Sequence, residues 1–435
     1  MAQILNSHKI QEIKSRLRYN PIAFHIKSKR NGVALLLAVT SLLLMVFVAS
    51  EVATDSTIEY VVNTHEIHRI KAYYAARNSL DIALLRVKVY QQASRMNLPA
   101  GFAQQLNQVW NFPFAWPLPI TKDMMMDAKD DIESVTKEAL FDGVYTHTIM
   151  DEGSKIDIND LGSPSKTLRE VTQKQILNIF ENKIASDDKF KNKYQNFNFT
   201  ELINRIGDWM SDKNTSYNGG DKRSAFINLG ENFPPNRGFR TIDEIRLVPG
   251  MTEEFFSIIY PSITIYGSKA INPNTASELV LKSLDTGITA EAIKEAIARR
   301  EDSEKGGPFQ GGSSDECRNT FKAFIEGHGS RLSPEFDKIP FICDKVTNFK
   351  IEAIGRSGNG KGSVQKKITV YVMDLQKAGS TVKSLIDKEK QAQQASQTGQ
   401  TGQTQPPANS GPRPGSTTQD PLPKGRPRIV YWSEQ

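Results

Sequence analysis

The chain has 435 residues, 38% of them hydrophobic and 24% charged, a balance that supports a folded protein built from more than one structural unit. Its net charge of +6 is concentrated in residues 1–32, where seven Lys/Arg face the single acid Glu12; the neutral remainder excludes a body that grips nucleic acid through a broad basic face. Two cysteines, Cys317 and Cys343, are too few for a disulfide scaffold and lack the close pairing of a zinc site.

Next comes Val33-Ala-Leu-Leu-Leu-Ala-Val-Thr-Ser-Leu-Leu-Leu-Met-Val-Phe-Val-Ala-Ser50, uncharged and closed by Glu51. At about 1.5 Å per residue such a helix reaches roughly 27 Å, close to the hydrocarbon thickness of a bilayer. With the Lys/Arg excess wholly upstream, the positive-inside rule predicts a cytoplasmic N-terminus and export of everything after Glu51. Val48-Ala49-Ser50 leaves open cleavage as a secretory signal.

Helical spacing continues through Ile58, Val62, Ile70, Tyr73, Tyr74, Leu80, Leu84 and Val87 with no proline before Pro99, predicting one helix from 33 to about 93. Residues 110–120, rich in aromatics and proline, are expected to be an irregular crossing loop. Val144–Ile149 and Ile156–Ile158 are expected to pair as a hairpin, and Phe349–Ala353 with Ile368–Val372 as a second one. Between them the pattern is helical, with starts at Ser165, Phe199, Thr241, Thr252, Ser277 and Thr289, so the hairpins read as one sheet interrupted by a helical insertion. From 378 the composition turns to Gln, Ser, Thr, Gly and Pro, which predicts disorder. Lys424–Trp432 is basic with an aromatic end, a pattern that suits a docking peptide.

No catalytic constellation emerges, so no enzyme is expected. Gly355-Arg-Ser-Gly-Asn-Gly360-Lys361 imitates the start of a phosphate loop, but Gly362 stands where a magnesium-binding Ser/Thr is needed and strand pattern follows, which makes it a hairpin tip. Only His65 and His68 lie close together among six histidines, on what reads as a solvated helix face.

Lys29-Arg30-Asn31-Gly32-Val33 resembles the junction cut by prepilin peptidase, after which pilins and pseudopilins keep the apolar helix as a fibre spine. Most carry Glu at the fifth position of the processed chain; here it is Leu37. With Lys71-Ala-Tyr-Tyr-Ala-Ala76, Lys155-Ile-Asp-Ile-Asn159, Gly207-Asp208-Trp209, Ile245-Arg-Leu-Val-Pro-Gly250 and Ile271-Asn-Pro-Asn274-Thr-Ala276 following in order, the chain resembles the minor pseudopilin K family of type II secretion systems (general secretion pathway protein K) over residues 29–375. The leader is longer than usual in that family and the tail beyond 378 is additional.

The resemblance implies an α+β, pilin-like fold: a long N-terminal transmembrane and spine helix packed on a small antiparallel sheet, with a large inserted all-α domain and a disordered C-terminal tail. It divides the chain into a cleaved cytoplasmic leader (1–32), the transmembrane segment (33–50), a pilin-like domain (51–161 and 340–377), the insertion (162–339) and the tail (378–435). The implied role is structural and non-enzymatic: processing after Gly32, methylation of Val33, and assembly at the tip of a periplasmic pseudopilus that supports export of folded proteins. Expected partners are other minor pseudopilins, the major pseudopilin, prepilin peptidase and the inner-membrane secretion platform, with no nucleic acid; the location is the inner membrane, single-pass, with the bulk periplasmic.

Some members of that family bind calcium in acidic loops of the insertion, and Asp208, Asp212, Asn214 and Asp221 are the matching oxygen donors. The family pattern places acids two and four positions after the Trp, where this chain has Ser211 and Lys213, with Asp212 between. Capping of the loop by its own Asx side chains is the competing reading. Export to an oxidising space makes Cys317 and Cys343 a candidate disulfide. Two other functions stay open: a membrane-anchored DNA-uptake receptor of helix-hairpin-helix type, since Ile-Asn-x-Asn-Thr-Ala also precedes helices in such proteins, and a minor pilin of a type IV pilus.

Overall fold

The computed structural model describes residues 31–94, 96, 109–120, 124–358, 362–398 and 427–435. Most of the basic leader, including Lys29 and Arg30, lies outside the described residues, as do the hairpin tip at 359–361 and the tail between 399 and 426. Two compact units are distinguished, Met1–Ile67 and His68–Gln435.

Helix α1 spans Asn31–Ala93, as the uninterrupted spacing predicts; after Gly32 it contains neither Gly nor Pro, so nothing breaks its hydrogen-bond ladder. In the first unit its apolar side chains, from Val33 through Phe47 to Val62, are exposed, and the stretch is long and apolar enough to cross a membrane. Four of its hydroxyls bond within the helix: Thr40 donates to the Leu37 carbonyl at 3.0 Å, Ser41 to that of Ala38 at 2.9 Å, Thr54 to that of Ser50 at 2.8 Å and Thr57 to that of Ala53 at 2.7 Å. Such back-bonding reduces the cost of placing these hydroxyls in an apolar surrounding.

The second unit continues with β1 (Phe114–Trp116), α2 (Met126–Glu138), β2 (Val144–Asp151) and β3 (Ile156–Asp157). The helices α3 (Lys166–Ser186), α4 (Asp188–Tyr194), α5 (Phe199–Met210), α6 (Lys222–Phe226) and α7 (Glu253–Ile259) follow. Then come β4 (Ile263–Thr264), α8 (Glu278–Ser283), α9 (Ala290–Glu301) and α10 (Ser314–Gly327). The chain closes through β5 (Phe349–Ser357), β6 (Val364–Val372), α11 (Leu375–Thr398) and β7 (Ile429–Glu434).

The sheet has the order β1-β2-β5-β6-β7, antiparallel throughout. Strand β2 pairs with β5 (Ile149 opposite Ile351) across the whole helical insertion, and β5 with β6 (Phe349 opposite Val372). The architecture is therefore the expected α+β one, a long helix on an antiparallel sheet with a large helical domain inserted between β2 and β5.

Two cores form. The first joins α1 to the sheet: Ala76, Leu80, Ala83, Leu84 and Val87 recur at helical spacing against Ile149, Phe349, Ile351, Val370 and Val372. Burying each large aliphatic side chain here stabilises by about 1.5–3 kcal/mol as an upper estimate. Alanines on the helix and Gly355 on β5 set the separation: a Cβ on Gly355 would lie 2.2 Å from the Ala72 carbonyl oxygen and 2.2 Å from the Ala76 nitrogen. The second core fills the insertion, with Phe180, Phe199, Ile206, Trp209, Phe255, Phe321 and Phe336 among its members. Side-chain caps set the helix starts, with Ser165, Asn198, Thr252, Ser277 and Thr289 each accepting from the backbone amide three residues on, which supplies partners for otherwise unpaired donors.

Four expectations are corrected. The crossing loop at 110–120 contains strand β1, its Phe114–Trp116 paired with Tyr145–His147; the flanking prolines confine it to the sheet edge. Ile156–Ile158 does not form a hairpin with β2 but pairs in parallel with β4, Ile156 opposite Ile263. Its run is buried rather than alternating, as suits a strand covered on both faces. Of the six expected helices the one from Thr241 is a short 3-10 helix, Ile242–Leu247, and α2, α4, α6 and α10 are additional. Finally, the region given as a disordered tail (378–435) contains most of α11 and all of β7. Ala378, Val382, Leu385 and Glu389 face the protein at i+3/i+4 spacing, and β7 extends β6 with Tyr431 opposite Tyr371. The docking peptide thus docks on its own chain's sheet.

Candidate functional site

At the N-terminal junction Gly32 and Val33 lie in the first turn of α1 with Val33 exposed, and a Cβ on Gly32 would meet nothing within 4 Å. The glycine is thus not required by packing. Leu37 is exposed on the same apolar surface, where a carboxylate would stand in hydrocarbon if the segment crosses a bilayer.

The acidic loop after α5 was the candidate cation site, and the structure separates its four donors. Asp208 is fully buried; its Oδ2 accepts from Ser216 Oγ at 2.5 Å and its Oδ1 from the Tyr217 amide at 2.9 Å. Asp221 caps α6, accepting from the Arg223 amide at 3.0 Å. Asp212 and Asn214 are exposed, and the Asn214 carbonyl accepts from the Lys222 amide at 3.0 Å. Lys222, which belongs to no motif of the sequence, is 2% exposed. Its Nζ donates to the Ser211 carbonyl at 2.5 Å and to Asn236 Oδ1 at 2.7 Å. Burial lowers its pKa, and the charges of Asp208, Asp212 and Asp221 work against that shift. Among the described residues no three His, Cys, Asp or Glu side chains converge as metal ligands. The donor set does not fit a calcium ion: the Asp208 oxygens already accept bonds, one Asp221 oxygen accepts a cap bond, and an ammonium stands in their field.

The remaining strings that carry the resemblance act as fasteners. Asn159 accepts from the Phe239 amide at 2.7 Å and donates to its carbonyl at 3.2 Å, as a strand would, and Trp209 stacks on Phe239 at 5.2 Å. Asn274 does the same with Phe309, at 2.7 and 2.9 Å. Cys317 of α10 and Cys343 are joined by a disulfide with Cα atoms 5.6 Å apart, tying α10 to the segment that leads into β5.

Two polar clusters escaped the sequence. Lys269 Nζ lies 2.5 Å from Asp157 Oδ2 and 2.7 Å from Asp160 Oδ1; burial and the neighbouring Asp157 push the Asp160 carboxyl up. Removing one member would leave buried charge uncompensated. Between α1 and β2, Arg86 of α1 donates to the carbonyls of Val109 and Phe112 and pairs with His147 Nε2, while Ser79 of α1 meets His147 Nδ1 at 3.1 Å. Burial, with Arg86 adding to it, lowers His147 to about 4, so the ring is neutral and its two nitrogens are used structurally. Neither cluster was legible, because each unites residues distant in sequence. A cleft of about 700 Å³ lies between the end of β2 and the Asn272–Ser277 segment. Its half-buried carboxylate, Asp151, accepts from Thr275 Oγ1 at 2.5 Å and is pushed up to about 6 by desolvation.

The turn between α8 and α9 has the place of a helix-hairpin-helix loop. Its Gly287 amide donates to Asp285 Oδ1 at 2.8 Å and its carbonyl accepts from the Arg331 amide at 3.2 Å. A Cβ there would lie 1.8 Å from the Arg331 carbonyl oxygen. The turn is packed against its own chain and lined by the buried Asp285 carboxylate, a poor surface for phosphate.

No family model matches the chain, and no curated protein matches it. Among solved structures it is similar to a chain in the crystal structure of the GspK-GspI-GspJ complex from the enterotoxigenic Escherichia coli Type 2 Secretion System, at 14% identity over 72% of this chain and 94% of that one, with a TM-score of 0.45.

Proposed function

We propose that this protein is a non-enzymatic minor pseudopilin of a type II protein secretion system, cut by prepilin peptidase after Gly32 and anchored in the inner membrane by α1. The observation that carries the reading is α1 itself: one helix that begins at a basic-Gly junction, exposes an apolar stretch of membrane length, and in its second half packs through alanines against Gly355 of an antiparallel sheet. The helical insertion between β2 and β5 and the absence of a carboxylate at Leu37 favour the end of a fibre. A spine carboxylate that compensates a neighbour's buried terminal amine has nothing to pair with there, and a bulky insertion is hard to stack along a narrow shaft. In this reading the partners are other minor pseudopilins, the major pseudopilin and the secretion platform, and the exported body is periplasmic.

The test is Gly32→Ala. Because a Cβ at Gly32 meets no atom within 4 Å and the apolar stretch is untouched, membrane insertion is expected to persist while peptidase cleavage and secretion are lost. Wild-type secretion by an uncleaved variant would contradict the reading.

A further inference from the structure

The acidic loop between α5 and α6 has its own cation. Lys222 begins α6, and its side chain is buried as it turns back to the Ser211 carbonyl, the first residue beyond α5. The same ammonium reaches Asn236 Oδ1, so one side chain ties the start of the loop, the helix that ends it and the segment beyond. Its backbone amide closes the loop a second time on the Asn214 carbonyl. An ammonium offers three donors and no acceptor, and two of the three are placed on neutral oxygens while the charges of Asp208, Asp212 and Asp221 act on it electrostatically.

A calcium ion in this loop would need six to eight free oxygens at roughly 2.3–2.6 Å. It would also have to sit beside a fixed positive charge, at a repulsive cost that grows as water is excluded. Several of the oxygens it would recruit already accept a bond: both on Asp208, from Ser216 and Tyr217, one on Asp221, from Arg223, and the Ser211 carbonyl, from Lys222 itself, and no three carboxylates converge there among the described residues. We propose that the Lys222 ammonium is the permanent counter-cation of this loop, so that the insertion holds its shape without calcium and its stability does not follow the surrounding calcium concentration. The inference stands apart from the pseudopilin reading, since it concerns one loop of the insertion whatever the molecule assembles with.

The test uses the full chain in detergent, melted in excess EGTA and in saturating calcium, alongside Lys222→Met, which keeps the apolar stem and removes the charge. The wild-type transitions are expected to coincide, with no calcium uptake by calorimetry. Lys222→Met is expected to melt about 5 °C or more below wild type in EGTA, because its carboxylates lose their compensating charge. A wild-type transition that falls with chelator, stoichiometric calcium binding by wild type, or a Lys222→Met protein that melts with wild type would each overturn the proposal. Should Lys222→Met fail to accumulate, the two wild-type measurements still decide.

Discussion

Gly355 shows how much of this molecule depends on one absent atom. Its Cα faces the backbone of α1 so closely that any side chain would strike Ala72 and Ala76 backbone atoms and the Ala75 Cβ at 2.7 Å, none of which can rotate away. Gly355→Ala is therefore expected to push the helix off β5 and cost about 3 kcal/mol, read as a lowered thermal midpoint, with wild-type melting as the contrary result. In the sequence this residue looked like the first glycine of a hairpin tip. Its role could not be read because the partner, Lys71-Ala-Tyr-Tyr-Ala-Ala76, lies some 280 positions earlier and only the fold makes them neighbours. The acidic loop erred the other way: Asp208, Asp212, Asn214 and Asp221 were legible as oxygen donors, but Lys222, adjacent in sequence, decides what they compensate.

At the scale of elements, periodic segments were the legible ones. Helix α1 follows from spacing and the lack of Gly and Pro, α5 begins at the expected Phe199, and the β5–β6 hairpin has the expected partners, because each pattern is long and its caps are local. What failed was short or averaged. Ile156–Ile158 is too brief to reveal a parallel partner, and α11 was lost when its stripe Ala378, Val382, Leu385 was averaged with the polar stretch beyond it. That helix has a definite anchor: Glu389 accepts from Ser165 Oγ at 2.7 Å and the Thr167 amide at 2.8 Å, capping α3 from outside. Partial burial works to raise its pKa, but these hydrogen bonds hold it at about 2. A carboxylate depressed in the fold contributes fully above its unfolded value of about 4.3, and the contribution is lost as pH falls toward 2. Protection of the amides across residues 375–398, corrected for the intrinsic exchange rate at each pH, should thus fall between about pH 4 and pH 2 in wild type, and Glu389→Gln should show the lower protection already at neutral pH. Equal protection in the two proteins would show that Glu389 does not anchor the helix.

For the whole molecule, the sequence order of the parts is also the logic of the proposed function. A basic leader and an apolar helix come first, a sheet is opened, a large helical domain is inserted, and the sheet is closed by β5, β6 and a returning β7. Each part has a physical role: an apolar stretch of membrane length in which Thr40 and Thr57 bond their own backbone, a helix–sheet contact set by Gly355, and an insertion held by asparagine clamps, the Cys317–Cys343 disulfide and Lys222. Everything then turns on whether α1 is a processed spine or a simple anchor. The most direct measurement is the intact mass and N-terminal sequence of the membrane-extracted protein from cells with and without prepilin peptidase. The account predicts a start at Val33, bearing a methylated amine, only where the peptidase is present. A start at Met1 in both strains, or one near Glu51 that ignores the peptidase, would contradict it.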